Sequence, residues 1–398
     1  MSKAEKTNRI KSKEPWYEGW DIPDEKRLEY SKRSKESSKS KQKAISENNI
    51  GKYQDIPIPK LNPGDLMPKK SRNGLTSLSL FSGGGGLDLG FDLAGFEHIA
   101  SYEILNFAAD TIRINRPKWT VFSENHGNVI KTNWKKFKNK VDVLHGGPPC
   151  QPFSNSGRQK GNQDVRDMLP EFVRSVMDIN PNAFVMENVP GLSNAKFQDY
   201  LYKGFYSKLQ GKYKIKTFKL FAPSFGIPQS RKRLIFVGIR KNKNFIKFKS
   251  PSKQYNYDYL IDSTTNQLTI NNLPECMGVR EALGLKSIGL DGLAPTIRCS
   301  LTGPRSTTSI LSSTSSQKKW EKLGIWASGV QKNREIASSF KTKNGTFRLS
   351  VDDCALLQGF PPEWKFNGPV YKQLGQIGNS VVPPMAYQIA MSVYSSLK

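Results

Sequence analysis

The fold is decided by residues 75–94, whose sequence is LTSLSLFSGGGGLDLGFDLA. Apolar and small polar residues alternate over Leu75–Phe81, as in a β-strand, and the apolar stretch Leu87–Ala94 has the character of a helix. A strand, a glycine turn and a helix form the first unit of a doubly wound α/β sheet, with a ligand lying on the turn. The spacing fits neither a GxxxxGK[ST] loop nor a good GxGxxG motif. A nucleotide, a dinucleotide and S-adenosylmethionine (AdoMet) therefore all remain candidate ligands.

Further strands and helices alternate along the chain as far as Arg240. Glu97–Glu103 is predicted to be a strand that ends on an acid, a position suited to hydrogen bonding with a ribose diol. Ala183–Val189 is predicted to be a buried strand that delivers Glu187 at its carboxyl end. The other predicted elements are strands at Val141–Leu144, Lys214–Ala222 and Arg233–Arg240 and a helix at Asp164–Ile179. This alternation predicts a parallel sheet covered on both faces.

A proline-rich loop with the sequence HGGPPCQPFS occupies His145–Ser154, directly after the short strand at 141–144. Its prolines restrict the backbone on both sides of Cys150. Because open α/β sheets place their chemistry beyond the carboxyl ends of strands, Cys150 is a candidate nucleophile. For an isolated cysteine, a buried structural role in a proline-rich turn is the alternative.

The chain carries 61 Lys and Arg residues against 34 Asp and Glu residues, a formal net charge of +27. Such an excess predicts a polyanionic partner, with nucleic acid favoured over a membrane surface. The four cysteines show no CxxC pairing and no ligand spacing with the three histidines, which argues against zinc and for a reducing compartment. No apolar run approaches the length of a membrane span and the N-terminus is polar, so a cytoplasmic protein is expected.

The composition changes after Arg240. Residues 241 to about 345 are rich in Lys, Ser, Thr, Asn and Gly and have weak periodicity. This composition is typical of loops and short strands, and of a surface that contacts base edges and phosphates. A flexible insertion is the alternative, and the aromatic residues Trp320 and Trp326 count against it.

The two ends of the chain differ from each other. Residues 1–72 form a basic extension in which the Ser/Lys-rich run Lys32–Lys43 is expected to be disordered. Near the other end, Leu349–Gln358 is predicted to be a helix. The stretch Gln376–Pro384 is predicted to open a final helix, with Pro383 and Pro384 in its first turn.

A cysteine, a carboxylic acid and clustered arginines beside a glycine-rich turn suit one particular reaction. Cytosine is electron-poor at C6, and a thiolate that adds there makes C5 nucleophilic enough to take a methyl group from a sulfonium donor. Protonation of N3 requires an acid with a pKa near neutrality, which partial burial of Glu187 would provide. Arginines would hold the phosphate and the O2 of the base. Because the base must leave the stack, base flipping is expected.

The chain resembles the bacterial C5-cytosine-specific DNA methyltransferases over roughly residues 75–398, with the motifs in the family's order. The sequence GPPCQPFS at 147–154 resembles the family's catalytic loop, which implies that Cys150 attacks C6. The sequence ENV at 187–189 resembles the motif whose acid protonates N3, which implies that role for Glu187.

The sequence QSRKR at 229–233 resembles the family's QxRxR motif. The resemblance implies that Gln229, Arg231 and Arg233 belong to the catalytic site, with base and phosphate contacts from the two arginines. For the fold, it implies a doubly wound, mostly parallel α/β sheet of the AdoMet-dependent methyltransferase type, with a smaller, irregular target-recognition domain.

The resemblance also implies that AdoMet is the cofactor and that no metal is needed. The implied cofactor residues lie in the glycine loop, in later loops and in the closing GNSV motif: Phe81, Ser82, Gly83, Gly85, Gly86, Glu103, Ile104, Asn128, Val129, Pro148, Leu169, Asn379 and Ser380. Glu103 would bind the ribose. Two positions depart from the family pattern, since Ile104 replaces an adenine-stacking aromatic residue and Asn128-Val129 replaces Asp-Ile.

Composition and resemblance together divide the chain into four parts. These are a basic, partly disordered N-terminal extension (1–72), a catalytic AdoMet-binding domain (73–240), a target-recognition domain (241–347) and a C-terminal return to the catalytic domain (348–398). Within the recognition domain, Thr296-Ile297 resembles a family signature. DNA contacts are expected from Thr296, Ile297, Arg298 and Arg305. Arg348–Pro361 resembles the helix that supports this domain, with Asp353 in place of the usual Glu.

The expected activity is transfer of a methyl group from AdoMet to C5 of a flipped cytosine in a short duplex DNA site, through a covalent Cys150–C6 intermediate. The expected role is to protect host DNA as a monomer, paired with a restriction endonuclease without a stable complex. Two alternatives are a tRNA cytosine methyltransferase on the same scaffold and a non-catalytic DNA-binding regulator. The presence of Cys150, Glu187, Arg231 and Arg233 counts against the regulator.

Overall fold

The structure is a computed structural model that describes residues 28, 31–32, 56–149, 167–243, 245–261, 272–298, 308–339 and 346–398. Cys150, Arg305 and residues 33–43 lie outside the described residues, so the predictions made for them are not tested by the structure. None of the helices in the described ranges is long and apolar enough to cross a membrane.

A seven-stranded sheet forms the centre of the described chain. Its strands are β1 (Thr76–Leu80), β2 (Glu97–Tyr102), β3 (Val121–Phe122), β4 (Val143–Gly146), β5 (Ala183–Asn188), β6 (Tyr213–Phe221) and β8 (Lys232–Arg240). They lie in the order β3-β2-β1-β4-β5-β8-β6. Neighbours from β3 to β5 are parallel, whereas β8 is antiparallel to both β5 and β6. The predicted mostly parallel, doubly wound sheet is therefore confirmed, with β8 as the one reversed strand.

The remaining strands form two small sheets that involve the proposed recognition region. β7 (Gln229–Ser230) pairs in parallel with β9 (Ala294–Pro295), and β10 (Ile325–Gln331) pairs in parallel with β11 (Phe347–Ser350). The proposed domain boundary at 347/348 therefore falls inside β11. The backbone of the proposed recognition region is therefore hydrogen-bonded to the preceding part of the chain through β7 and to the following part through β11.

Eight helices of six or more residues are present in the described ranges. They are α1 (Gly86–Leu93), α2 (Asn106–Asn115), α3 (Leu169–Ile179), α4 (Thr314–Lys322), α5 (Arg334–Ser339), α6 (Val351–Leu357), α7 (Val370–Asn379) and α8 (Pro383–Leu397). Short α-helical turns occupy Glu124–Gly127, Gln198–Leu201, Ser207–Leu209 and Val279–Ala282, and a π-helical segment occupies Tyr202–Tyr206. Short 3₁₀ turns occupy Pro63–Leu66, Trp134–Phe137, Pro190–Ser193, Ala195–Phe197, Ala222–Phe225, Phe245–Lys247 and Asp258–Leu260.

Apolar side chains cover both faces of the sheet, as alternation along a doubly covered strand requires. In β5, Val185 belongs to one buried cluster while Phe184 and Met186 belong to the other. The first cluster also contains residues of α1 and α8 and the recognition-region residues Ile297 and Trp320. The proposed recognition region therefore shares one hydrophobic core with the proposed catalytic domain.

Helices α1 and α8 pack closely because Gly90 lies at their contact. A Cβ added at Gly90 would lie 2.5 Å from Cβ of Ala386 and 2.6 Å from the backbone nitrogen of Tyr387. The absence of a side chain at this position therefore sets the distance between the two helices.

Three element predictions need correction. Leu349, predicted to be helical, lies in β11, and α6 begins only at Val351, where the Ser350 side chain caps it. The helix predicted at Asp164–Ile179 begins at Leu169, and Asp167 and Met168 precede it. The segment from Gln376 to Asn379 ends α7 rather than opening the last helix, which begins at Pro383 as its prolines predict.

Candidate active site

The sheet register aligns four residues along one edge of the sheet. Leu80 pairs with both Tyr102 and Gly146, and Gly146 pairs with Met186. The residues that follow these four positions are Phe81, Glu103, Gly147 and Glu187. This edge is the carboxyl end of the parallel strands, and the strand order reverses there between β1 and β4. Ligands bind at such a switch point in open α/β sheets.

The glycine loop after β1 has a left-handed backbone at three positions. Phe81, Gly83 and Gly85 all have positive φ angles, of 54°, 54° and 81°. The backbone N–H of Gly83 donates to Oε2 of Glu103 at 2.7 Å, and the N–H of Leu105 donates to Oε1 at 2.8 Å. Each carboxylate oxygen retains a second lone pair, which suits the diol of a ribose. Burial raises the pKa of Glu103 above its usual value.

The C-terminal segment closes over the other side of the glycine loop. A Cβ on Gly84 would lie 3.0 Å from Oγ of Ser380, and one on Gly86 would overlap the carbonyl oxygen of Val381. Nε1 of Trp364 donates to the carbonyl of Gly84 at 3.1 Å. By contrast, the atom nearest to a Cβ added at Gly83 would be a backbone oxygen 4.0 Å away. Gly83 is therefore the position at which the loop leaves space for a ligand.

A buried polar network lies under the same loop. Oδ2 of Asp88 accepts from Oγ of Ser79 at 3.0 Å, and Oδ1 accepts from Oγ of Ser101 at 2.7 Å. Oγ of Ser79 also lies 2.8 Å from Oγ of Ser82, which belongs to the loop. Burial raises the pKa of Asp88 to about 6. The sequence prediction did not include Asp88, although an acid on an apolar helix was the available signal.

The remaining proposed cofactor residues differ in their burial and hydrogen bonds. Val129 and Leu169 are buried in the apolar cluster on one face of the sheet, and Pro148 is buried as well. Ile104 is half-buried. Oδ1 of Asn128 accepts from the N–H of Ile130 at 3.0 Å. In the GNSV motif, Asn379 is exposed, whereas Ser380 is buried and its Oγ donates to the carbonyl of Gln376 at 2.8 Å.

Glu187 is the central acidic group of the site. Its Oε1 lies 2.6 Å from Nε of Arg233, and only 7% of the residue is exposed. A Cβ on Gly147 would lie 2.8 Å from Oε2, so glycine at 147 leaves the carboxylate beside the start of the 147–154 loop. Burial raises the pKa of Glu187, while Arg233 and Arg231 oppose this rise. A buried carboxyl with a raised pKa can carry a proton near neutrality.

Arg231 connects three parts of the chain through backbone carbonyls. Its Nη2 donates at 2.7 Å to the carbonyls of both Gly378 and Ser380, and its Nη1 donates at 3.3 Å to the carbonyl of Ile297. Only 1% of Arg231 is exposed. Burial and the neighbouring Arg233 lower its pKa. The described contacts give Arg231 a positioning role, and its implied phosphate contact stays a prediction.

Gln229 has a similar place in the structure. Its Nε2 donates to the carbonyl of Leu357 at 2.8 Å and to Oε1 of Gln358 at 2.9 Å, and its Oε1 accepts from the N–H of Ile297 at 3.2 Å. Gln229 is fully buried. The structure therefore places Gln229 between the recognition region and α6, with its contacts directed to the protein itself.

Three of the four residues predicted to contact DNA lie in the described part of the chain, and they differ in exposure. Arg298 is exposed, and Thr296 is half-buried, with its hydroxyl donating to the carbonyl of Ser230. Ile297 has no exposed surface and belongs to the main apolar cluster. The expectation of a DNA contact from the Ile297 side chain is therefore corrected, because this side chain anchors the segment that carries Arg298. Among the described residues, no three His, Cys, Asp or Glu side chains are grouped to hold a metal ion.

The fold and the site together define a doubly wound α/β protein with a glycine turn after β1 and an acid–arginine pair formed by Glu187 of β5 and Arg233 of β8. The C-5 cytosine-specific DNA methylase family matches residues 75–395, and the chain belongs to this family. The protein is therefore a DNA cytosine-5-methyltransferase. This identification favours DNA over the tRNA alternative.

Two curated relatives agree with this identification. The type II methyltransferase M.NgoMIV of Neisseria gonorrhoeae is 32% identical over 339 residues, covering 81% of this chain and 98% of the relative. M.Eco47II of Escherichia coli, also named a type II methyltransferase, is 31% identical, covering 82% and 80%. These names support a restriction–modification setting.

A solved structure agrees with the fold. A prophage-encoded E. coli protein, assigned as a DNA modification methyltransferase, matches with a TM-score of 0.52 and 26% identity. The match covers 81% of this chain and 99% of that one.

Proposed function

We propose that this DNA cytosine-5-methyltransferase acts on a cytosine flipped out of duplex DNA, through a covalent bond between Cys150 and C6. The observation that carries the proposal is the buried Glu187 carboxyl, held 2.6 Å from Arg233 beside Gly147, three residues before Cys150. A base inside a duplex cannot reach such a group, so the target cytosine must leave the stack.

Glu187 moves a proton in the proposed mechanism. Protonated Glu187 donates to N3 while the Cys150 thiolate forms a bond to C6, and the electron pair of the C5–C6 double bond becomes available at C5. AdoMet, when bound, supplies the methyl group that C5 takes up. Loss of the C5 proton to a water molecule then re-forms the double bond and expels the thiolate, and the N3 proton returns to Glu187. Arg233 orients Glu187 and stabilises its carboxylate after the proton has left.

The described residues fit AdoMet at the glycine loop. Glu103 would hold the ribose hydroxyls, the space at Gly83 would admit the ligand, and Val129 and Leu169 would lie at the apolar side of the adenine. Ser380 would hold its place in the site through Gln376. We propose no metal in this reaction.

The biological part of the proposal concerns DNA recognition. Arg298 and Arg305, on the recognition segment, are proposed to contact the target site, and Thr296 to fix the segment on Ser230. The names of the type II relatives support a role in protecting host DNA from a restriction endonuclease, without a stable complex between the two proteins. A monomeric state and a cytoplasmic location stay predictions.

A covalent trap tests the central step. Fluorine at C5 cannot leave as a proton does, so a duplex with 5-fluorocytosine at the target should hold the enzyme as a covalent complex after methyl transfer. Bisulfite sequencing of DNA from an expressing host first identifies the target. We expect the wild-type protein and AdoMet to give a complex that survives denaturing electrophoresis, and Cys150→Ala to give none.

Methyl transfer and AdoMet affinity of Cys150→Ala are measured beside the covalent trap. Cys150→Ala should lose more than about a thousandfold of methyl transfer into unmodified duplex, the scale on which loss of a nucleophile acts. Its affinity for AdoMet should remain that of the wild type. Retained methyl transfer by this variant would refute the proposed mechanism.

A further inference from the structure

Residues 56–73 lie ahead of the family match and connect two parts of the molecule. At one end, the N–H groups of Lys60 and Leu61 both donate to the carbonyl of Ala282, at 3.1 and 3.2 Å. Gly284 faces the same segment, and a Cβ added there would overlap the carbonyl of Ile58. Nζ of Lys60 lies 3.8 Å from Glu281. This end of the segment therefore packs, backbone to backbone, on the proposed recognition region.

A buried arginine joins the same end of the segment to the C-terminal return. Arg334 donates to the carbonyl of Pro57, to the carbonyl of Leu283 at 3.3 Å and to Oδ1 of Asp353 at 2.6 Å. Asp353 is fully buried, and its Oδ2 accepts from the Ser350 backbone at 2.8 Å and from its hydroxyl at 2.7 Å. A buried charged group must be satisfied in this way, so the junction has one preferred geometry.

The other end of the segment is fixed to the catalytic part. The N–H of Lys70 donates to the carbonyl of Leu93 at 2.8 Å, and the N–H of Asn73 donates to that of Gly95 at 2.9 Å. The hydroxyl of Tyr387, in α8, donates to the carbonyl of Pro68 at 2.9 Å. A Cβ on Gly95 would overlap the carbonyl of Ser71.

The middle of the segment is anchored by burial. Leu61 and Met67 are buried in the main apolar cluster, and Leu66 packs against it. The carbonyl of Asn62 accepts from the N–H of Asp65 at 3.1 Å in the intervening 3₁₀ turn. The segment is therefore held at both ends and in its middle.

We propose that residues 56–73 form a strap that positions the recognition region against the catalytic domain and thereby sets the affinity of the enzyme for DNA. The inference rests on the proposed recognition role of residues 241–347. A strap fixed at both ends limits how far the two surfaces can separate, so DNA meets them already in place. Pre-organisation of this kind increases affinity because less ordering is left to binding.

Two pairs of glycines give matched variants for the test. Gly284 and Gly289 have φ angles of +73° and +74°, but only at Gly284 would a Cβ meet the strap, since nothing lies within 4 Å of one at Gly289. Gly95 and Gly74, with φ of +93° and +75°, form the second pair, in which only Gly95 faces the strap. Within each pair, substitution by Ala introduces comparable backbone strain, and only one member displaces the strap.

The experiment measures KM for DNA, kcat and AdoMet affinity for all four variants in the full-length protein. Gly284→Ala and Gly95→Ala should each raise KM for DNA about tenfold over their partners, within the usual range of coupling between sites. AdoMet affinity should be unchanged, and kcat should change less than KM. Hydrogen exchange at the amides of Lys60 and Leu61 should become faster in Gly284→Ala.

The outcomes separate the strap from the proposed function. Equal KM values within each pair, with faster exchange in the strap variants, would overturn the inference while leaving the methyltransferase proposal intact. If Gly284→Ala does not fold, the Gly95 and Gly74 pair carries the test alone. A wild-type enzyme that transfers no methyl group to duplex DNA would instead refute the function on which the inference rests.

Discussion

At the scale of single residues, Asp88 has an unusual position for a carboxyl group. It is buried under the glycine loop, its carboxylate accepts from the hydroxyls of Ser79 and Ser101, and no cation pairs with it in the described contacts. Burial raises its pKa to about 6, and the nearby charge of Asp92 adds to the rise. The charged form is therefore costly in the folded protein.

This pKa predicts a specific pH dependence of stability. Between about pH 4 and pH 6, Asp88 in the folded protein keeps a proton that the unfolded chain has released. Its contribution to the free energy of unfolding therefore falls as the pH rises through this window. Asp88→Asn cannot ionise, so its stability relative to wild type should increase by about 2 kcal/mol between pH 4 and pH 7. Urea unfolding of both proteins at each pH measures the difference.

Comparing Asp88→Asn with the wild type also cancels the contribution of His98, which changes the free energy of unfolding in the opposite direction with pH. Burial lowers the pKa of His98 to about 4, so the unfolded chain binds a proton that the folded protein does not, and this residue's contribution rises with pH. His98 is present in both proteins and largely cancels. A stability difference that is the same at every pH would show that Asp88 stays ionised in the folded state.

At the scale of elements, the contact between α1 and α8 depends on Gly90. Alanine is a better helix former than glycine by about 1 kcal/mol, so propensity alone predicts a gain on substitution. The added methyl group, however, would lie 2.5 Å from Cβ of Ala386, and the backbone of Tyr387 is equally close. Overpacking against a backbone costs about 1–3 kcal/mol.

Gly90→Ala should therefore lower the free energy of unfolding by up to about 2 kcal/mol, since the clash offsets or outweighs the gain in propensity. Gly204, in the π-helical segment, is the control, because the nearest neighbour of an added Cβ there is 4.0 Å away. Gly204→Ala should be neutral or stabilising by up to about 1 kcal/mol. Thermal unfolding compares the two, and equal effects would show that α8 moves aside without cost.

At the scale of the whole molecule, the positive charge lies mostly outside the N-terminal 55 residues. Residues 1–55 contain 14 Lys and Arg and 10 Asp and Glu, so they hold +4 of the net +27. The rest of the chain keeps +23. The electrostatic attraction to DNA should therefore come mainly from residues 56–398.

Removal of residues 1–55, with the strap kept, tests this distribution. DNA affinity falls with salt in proportion to the number of phosphates neutralised, by about 0.9 in log–log slope for each one. The truncated protein should retain more than about half of the wild-type slope between 50 and 200 mM salt, the range over which such losses are measured. Fluorescence anisotropy with a labelled duplex gives the slopes, and a near-zero slope after truncation would place the DNA contacts in the extension.

Much of the site could be predicted from the sequence because its residues lie next to strand ends. Glu103 directly follows β2 and Glu187 is the penultimate residue of β5, and the predicted bounds of both strands lie within a residue of those observed. The contact of Glu187 with Arg233 was harder to predict from the sequence. It depends on β8 running against β5, and reversal of a strand leaves no mark on hydrophobic periodicity.

The positions of Gln229 and Ile297 show what a motif resemblance cannot predict. A motif identifies which residue stands at a position but not whether its side chain faces a ligand or the protein core. Both residues are buried, and their contacts join segments separated by 68 positions in the chain. Long-range contacts of this kind are set by the complete packing and have no local signal.

The reversed strand β8 also limits how the gene can change in length. Glu187 pairs directly with Ile235, so Arg233, two residues earlier, reaches it diagonally from the same face of the sheet. One residue inserted between Arg233 and Ile235 would turn Arg233 to the opposite face, because side chains alternate along a strand. A three-base insertion in this short stretch would then remove the partner of the acid without substituting a single amino acid. Variation in length should be tolerated in the loops around β8 and selected against within it.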